Sequence, residues 1–204
     1  MDVEIRPLSA ELIDDYFDFF NNRAFTDNPP WGGCYCIGWQ MTREENEEQV
    51  VKRAQELGGG AEGMMAALRE TVVRQITSGA LRGYLAYADG MSIGWCNVND
   101  RAALPDVSAT GFELPAPASG REKVVLCFEI APGYRGMGVA SALLERAASD
   151  AAREGYEVME AFPRALAERD KWDYTGPLRL YEKAGFVQAG RRGDTLIMRR
   201  QLKA

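Results

Sequence analysis

Residues 123–141 read Lys-Val-Val-Leu-Cys-Phe-Glu-Ile-Ala-Pro-Gly-Tyr-Arg-Gly-Met-Gly-Val-Ala-Ser. The segment 123–130 is a nearly continuous apolar run, the pattern of a central strand buried on both faces. From Met137 to Glu154 the period changes: Val139, Leu143, Leu144, Ala147 and Ala151 recur at helical spacing, and Gly155 supplies the stop. Between strand and helix, Gly136 and Gly138 leave backbone N–H groups bare where the helix begins. A helix start adds partial positive charge, so the turn suits a pyrophosphate, with Arg135 as an additional cationic contact. A plain tight connection would use the same glycines. The segment contains neither Gly-Lys-Ser/Thr nor G-x-G-x-x-G, so it is not a Walker loop or a Rossmann fingerprint.

Working outward, strands are expected at 82–88 and 91–98, joined by Asp89-Gly90, a strong two-residue hairpin signal. Before them lie a strand at 3–8, a helix at 10–22 with Ser9 as N-cap, and an aromatic-rich loop at 26–42. Thr42 and Glu45 form a capping box for a charged helix that runs to Leu57, and a further helix spans 61–78. A surface loop fills 100–120. Downstream come a strand at 156–162, a long loop at 163–176, a helix at 177–184 and a last strand at 194–200. Strands and helices alternate through the second half, so the fold class is α/β with a mixed sheet in a single domain over 1–204.

Composition narrows the chemistry. The chain has no histidine, which excludes a Ser-His or Cys-His pair and any imidazole base. Proton transfer falls to carboxylates, tyrosine, thiols, lysine or water. Four cysteines are too few for a disulfide framework, and Cys34-x-Cys36 is a lone pair without a second half at zinc spacing, so no metal is expected. The net charge of −6 argues against nucleic acid as a partner. No apolar run approaches a membrane span, and the first residues carry no signal or transit pattern, so a cytoplasmic location is expected.

Arg135-x-x-Gly138-x-Ala140 resembles the coenzyme A signature Q/R-x-x-G-x-G/A of the GNAT acetyltransferase family, and it stands after a strand and at a helix start, as it does there. Leu180-Tyr-Glu-Lys-Ala-Gly-Phe186 resembles that family's second signature. The resemblance covers 82–200 well and 1–81 only in element order. It implies a mostly antiparallel central sheet flanked by helices, whose central strands splay at a bulge to admit the pantetheine arm of acetyl-CoA, the co-substrate. Phe128, Glu129 and Ile130 would line that arm, and Arg135, Gly136, Met137, Gly138, Val139, Ala140 and Ser141 would hold the pyrophosphate.

Tyr181 matches the family's general-acid tyrosine. Two carboxylates are candidate bases, Glu129 in the apolar strand and Glu160 near the end of its neighbour; burial would raise either pKa toward a working value. A solvent-facing glutamate on a strand is the competing reading for each. Trp31, Tyr35 and Trp39, with Asp27, stand where the resemblance places the acceptor; the same rings could instead plug the end of the core. Tyr174 and Pro177 replace the family's frequent Asn and Ala, and the loop at 163–176 is longer than common. The expected reaction is acetyl transfer to an amine, small molecule or peptide, with a non-catalytic acyl-CoA-binding sensor or assembly module as the alternative. A homodimer is compatible with either.

Overall fold

The computed structural model describes residues 2–118, 120–165 and 173–202. Seven strands form one sheet in the order β1-β2-β3-β4-β5-β7-β6. These are β1 (Glu4–Pro7), β2 (Gly83–Ala88), β3 (Met91–Asp100), β4 (Glu122–Ile130), β5 (Val158–Ala161), β6 (Val187–Arg192) and β7 (Thr195–Gln201). Only β4 and β5 pair in parallel; every other pair is antiparallel. The fold is thus the expected mixed α/β sheet with helices on both faces.

One face is covered by α1 (Ile13–Asn22) and α4 (Gly60–Thr77), whose Tyr16, Phe17, Phe20, Val72 and Ile76 pack on Leu85, Trp95, Val124 and Leu126. The other face carries α5 (Val139–Arg153) and α6 (Leu178–Lys183), with Leu143, Leu144, Ala147, Leu180 and Tyr181 against Ile93, Cys96, Val125 and Phe128. The apolar stripes read from sequence are the buried ones, because a helix on a sheet gains stability chiefly by burying such a stripe.

Local signals fare unevenly. Asp89 and Gly90 both have positive φ, 50° and 77°, as a type I′ hairpin requires. Thr42 and Glu45 make both bonds of the capping box that starts α2 (Arg43–Asn46). That helix continues through a π-helical stretch, Glu47–Lys52, into α3 (Arg53–Glu56). Ser9 makes no side-chain cap bond, because a 3-10 turn at Ala10–Leu12 intervenes before α1. Strand β6 was not legible: its side chains are mostly exposed, so it lacks the alternation that marks a half-buried strand. It forms by pairing with β7 at the edge of the sheet.

Two irregularities shape the centre. Asn97 pairs with Cys127 and Val98 with Val125, so Leu126 is an extra residue in β4, a β-bulge. The bulge reverses the alternation: Val124, Leu126 and Cys127 face α1 and α4, whereas Val125 and Phe128 face α5 and α6. Glu129 pairs with Trp95, and so lies on the α1 side. In addition, β4 pairs with β5 only as far as Val125 and Ala161. Beyond Ala161 the chain stays with β7, where the Leu196 amide donates to the Pro163 carbonyl at 2.9 Å. The two central strands therefore diverge, as the resemblance implies.

Helix α5 starts close against β3 at Gly94, where an added Cβ would lie 2.9 Å from Ile130 Cδ1 and 3.0 Å from Val139 Cγ1. Gly94→Val should cost about 1–3 kcal/mol of stability through overpacking, measured by urea unfolding. An unchanged midpoint would show that the start of α5 yields freely.

Candidate active site

The glycine turn is built as its sequence suggests. Ala131 donates its amide to Ile93, which keeps the end of β4 on β3, and a 3-10 turn at Pro132–Tyr134 redirects the chain. Gly136 and Gly138 have φ of 79° and 89°, a region that side chains disfavour, and Gly138 is the N-cap of α5. No atom lies within 4 Å of a Cβ built at either glycine, so the turn faces open space. The amides of Val139, Ala140 and Ser141 form the first turn of a fifteen-residue helix and have no acceptor within it. Left-handed glycines, open space and unpaired amides at a helix start together suit an anion such as a pyrophosphate.

The Arg135 side chain does not lie over that turn. Its Nε donates to the Ile130 carbonyl at 2.9 Å, Nη1 to Asp27 at 2.8 Å and Nη2 to Glu129 at 3.2 Å. The guanidinium thus bridges the end of β4 to two carboxylates on the α1 side. Glu129 is largely buried, its side chain 11% exposed, and burial lifts its pKa to about 7 against the opposing pull of Arg135. A carboxyl that changes state near neutral pH is suited to accept a proton from an amine.

Glu160, the other candidate base, is only 1% exposed and is held by Arg199 on the paired strand, with contacts of 2.7 Å from Nε and 2.5 Å from Nη2. Its carboxylate is committed to a buried ion pair, because removing either partner would strand a charge. Glu160 is thus paired within the sheet, whereas Glu129 shares its arginine with Asp27 and the Ile130 carbonyl.

Tyr181 is fully buried on the α5 side, against Phe128 and Phe186. Its hydroxyl donates to the Thr175 carbonyl, and burial raises its pKa well above that of an ordinary phenol. One residue away, the Tyr174 carbonyl accepts from the Phe128 amide at 2.7 Å. The segment 173–176 therefore lies in the gap left by the divergence of β4 and β5, using the outward amide of Phe128. Asp173 supports it, accepting from the amide and hydroxyl of Thr175, and Gly176 continues it at φ 80°. This use of Tyr174 and Thr175 escaped the sequence, because a carbonyl contact leaves no mark on residue type.

The aromatic loop divides. Tyr35 and Trp39 are 1% and 6% exposed; Tyr35 donates to Asn21 and Trp39 packs on Phe112 and Tyr174, so both are buried in the core. Trp31 is half-buried and meets Tyr174, itself 39% exposed, with ring centroids 6.4 Å apart. Trp31 and Tyr174 thus form a partly exposed aromatic pair. A nearby cleft is lined by Phe112, Phe162, Arg192 and Thr195; a second, at Tyr156, Glu157 and Leu202, opens at the other end of β5 from the glycine turn. Among the described residues no group of His, Cys, Asp and Glu could hold a metal ion, and no helix is long and apolar enough to cross a membrane. Part of the long loop, 166–172, lies outside the described residues.

Among solved structures, an N-acetyltransferase from Staphylococcus aureus Mu50 is 18% identical, covers 100% of both chains and gives a TM-score of 0.53. An acetyltransferase of the GNAT family from Streptococcus pneumoniae is 16% identical over 98% of this chain and 99% of its own, also at 0.53. The GNAT domain of S. lividans PAT is 19% identical over 98% and 90%, at 0.51. At such identities the likeness is one of fold. No curated protein matches the chain. The profile of the acetyltransferase (GNAT) domain matches residues 80–188, which is more than half of the chain and contains both the glycine turn and Tyr181. The chain belongs to the GNAT acetyltransferase family.

Proposed function

We propose that the protein transfers the acetyl group of acetyl-CoA to an amine by direct attack, with Glu129 as base and Tyr181 as acid. The observation that carries this reading is one short stretch of chain. Glu129, with its pKa near 7, lies seven residues before Gly136, the start of the left-handed turn that suits the pyrophosphate. Proton acceptor and anchor are thus set by the same strand end.

In the proposed reaction the amine nitrogen attacks the thioester carbonyl, Glu129 takes the amine's proton, and Tyr181 protonates or hydrogen-bonds the departing thiolate. Tyr181 stays protonated at neutral pH because its pKa is raised by burial, so it is in the donor state. To reach the sulfur its hydroxyl must give up the Thr175 carbonyl, and a pantetheine arm on β4 must replace Tyr174 at the Phe128 amide. Both exchanges concern adjacent carbonyls, so one movement of 173–176 accomplishes them. The acceptor would enter past Trp31 and Tyr174, where Asp27 favours a cationic amine.

Calorimetry with acetyl-CoA tests the anchor. Gly138→Asp places a charged side chain at a left-handed position facing the bound phosphates, and should abolish binding while the far-UV spectrum is retained. Unchanged affinity would sink the assignment of this turn. A thiol reagent that follows coenzyme release against a panel of amines distinguishes the enzyme from a sensor, which would bind acetyl-CoA tightly and release none.

Glu129→Gln should lower turnover by about 10²–10⁴-fold. The wild-type rate should rise with pH through about 7, and the variant should lose that rise. Stability gives a second readout. A carboxyl with a raised folded pKa stabilises below its unfolded value of 4.5 and loses that contribution as pH climbs through about 7. Relative to wild type, the Gln variant should therefore gain on the order of 2–3 kcal/mol between about pH 4 and pH 8. Parallel stability profiles for the two proteins would mean that Glu129 titrates as an ordinary surface carboxyl.

A further inference from the structure

Three of the four cysteines converge on the α1 face of β4, where neither the fold nor the proposed transfer uses their sulfurs. The Sγ atoms of Cys36 and Cys127 lie 3.0 Å apart, about 1 Å longer than a disulfide bond of ~2.05 Å. Both residues are buried, at 7% and 5% exposure, so the contact is not a chance meeting of mobile surface groups. Cys36 has a positive φ of 53°, uncommon for a residue with a side chain, and the Asn97 side-chain amide holds its carbonyl at 3.1 Å. Cys127 is fixed by the bulge, which turns its side chain to this face. Cys34 is exposed as a residue, and its thiol lies near that of Cys36. Cys96 lies on the opposite face of the sheet, among the α5 contacts.

We infer that Cys36 and Cys127 form a reversible redox site, closed to a disulfide by a hydroperoxide that enters through Cys34. The steps balance. The Cys34 sulfur attacks a peroxide oxygen, giving a sulfenic acid and releasing an alcohol, or water from hydrogen peroxide. The Cys36 sulfur displaces the sulfenic oxygen as water, forming a transient Cys34–Cys36 bond. The Cys127 sulfur then attacks Cys36 and expels Cys34, which recovers its proton from Cys127. In sum, two thiols are oxidised to one disulfide and one peroxide bond is reduced.

Cys34 is the entry because, of the three, it alone belongs to an exposed residue. The neighbouring Cys36 thiol, followed by burial, raises its pKa, so the thiolate is scarce at neutral pH and closure should be slow and quicken with pH. The bond would tie the turn that carries Trp39 to β4, two residues before Glu129. The inference does not depend on the acetyl-transfer reading.

The test is differential alkylation of the full chain after hydrogen peroxide treatment, with unfolding before the label, intact mass, and peptide mapping of the bridge. Free thiols should fall from four to two, with a loss of two hydrogens, a mapped Cys36–Cys127 bridge, and Cys34 and Cys96 still open to label. Dithiothreitol should restore all four. Cys34→Ser should slow closure by about tenfold or more and reach the same bridge. A bridge mapped instead to Cys34, a disulfide-linked dimer, or Cys36, Cys96 and Cys127 all retained as thiols through conditions that convert Cys34 to its sulfonic acid would each overturn the assignment. The decisive mapping uses the unsubstituted protein, so it does not rely on a variant that might misfold.

Discussion

The one constraint on which the rest depends is the extra residue in β4. Leu126 has no partner on β3, and past it the alternation of side chains is reversed. Without that insertion Glu129 would face α5, among the contacts of Leu143 and Tyr181, and Phe128 would face the α1 side. The bulge therefore puts a carboxyl on one side of the sheet and leaves the phenol of Tyr181 on the other. In the proposed reaction, where Glu129 is the base and Tyr181 the acid, this arrangement suits a thioester and an amine that approach from different faces. The local bend also ends pairing with β5 at Val125, which frees the amide of Phe128.

The electrostatics around Glu129 show which effect wins. Arg135 stands 3.2 Å away and by itself would hold the carboxyl below its ordinary value. The pKa is nevertheless raised, with burial the largest cause and Asp27 adding to it. The guanidinium is shared: its other donors go to Asp27 and the Ile130 carbonyl, so only part of its field serves Glu129. Glu160 provides the contrast. Arg199 approaches it with two nitrogens, at 2.7 and 2.5 Å, both directed at the same carboxylate oxygen, Oε1, which is buried with the rest of the side chain. Two glutamates on neighbouring strands thus sit in different electrostatic settings, one sharing its arginine with other acceptors and the other met by two nitrogens of its own.

Most of the fold was legible because it rests on features written in residue type. The apolar run 123–130, the stripe of α5, the Asp89-Gly90 hairpin and the Thr42 capping box all appear where sequence places them. What failed did so for physical reasons. Strand β6 is exposed and carries no alternation. Tyr35 and Trp39 are as aromatic in a core as in a binding wall, and only burial distinguishes the two. The equal standing of Glu129 and Glu160 could not be broken from sequence, since the arginine that claims Glu160 lies 39 residues away. The glycine turn was visible, but the destination of the Arg135 side chain was not, because Asp27 is brought to it by tertiary packing alone.

The segment 173–176 links these observations. A gap between two strands leaves main-chain groups without partners, and a buried amide left unpaired costs about 1–3 kcal/mol. Here the Phe128 amide is satisfied by Tyr174 and the Tyr181 hydroxyl by Thr175, so the gap is filled by the chain itself. A ligand that offers a carbonyl in the same place exchanges one hydrogen bond for another and loses little, which makes the filled gap compatible with a binding slot. The side chain of Tyr174 is carried on the same backbone and meets Trp31. Any shift that vacates the gap must also move that ring and reshape the wall on the acceptor side. In the proposed reaction, coenzyme entry and the form of the acceptor site would thereby be coupled through two consecutive residues.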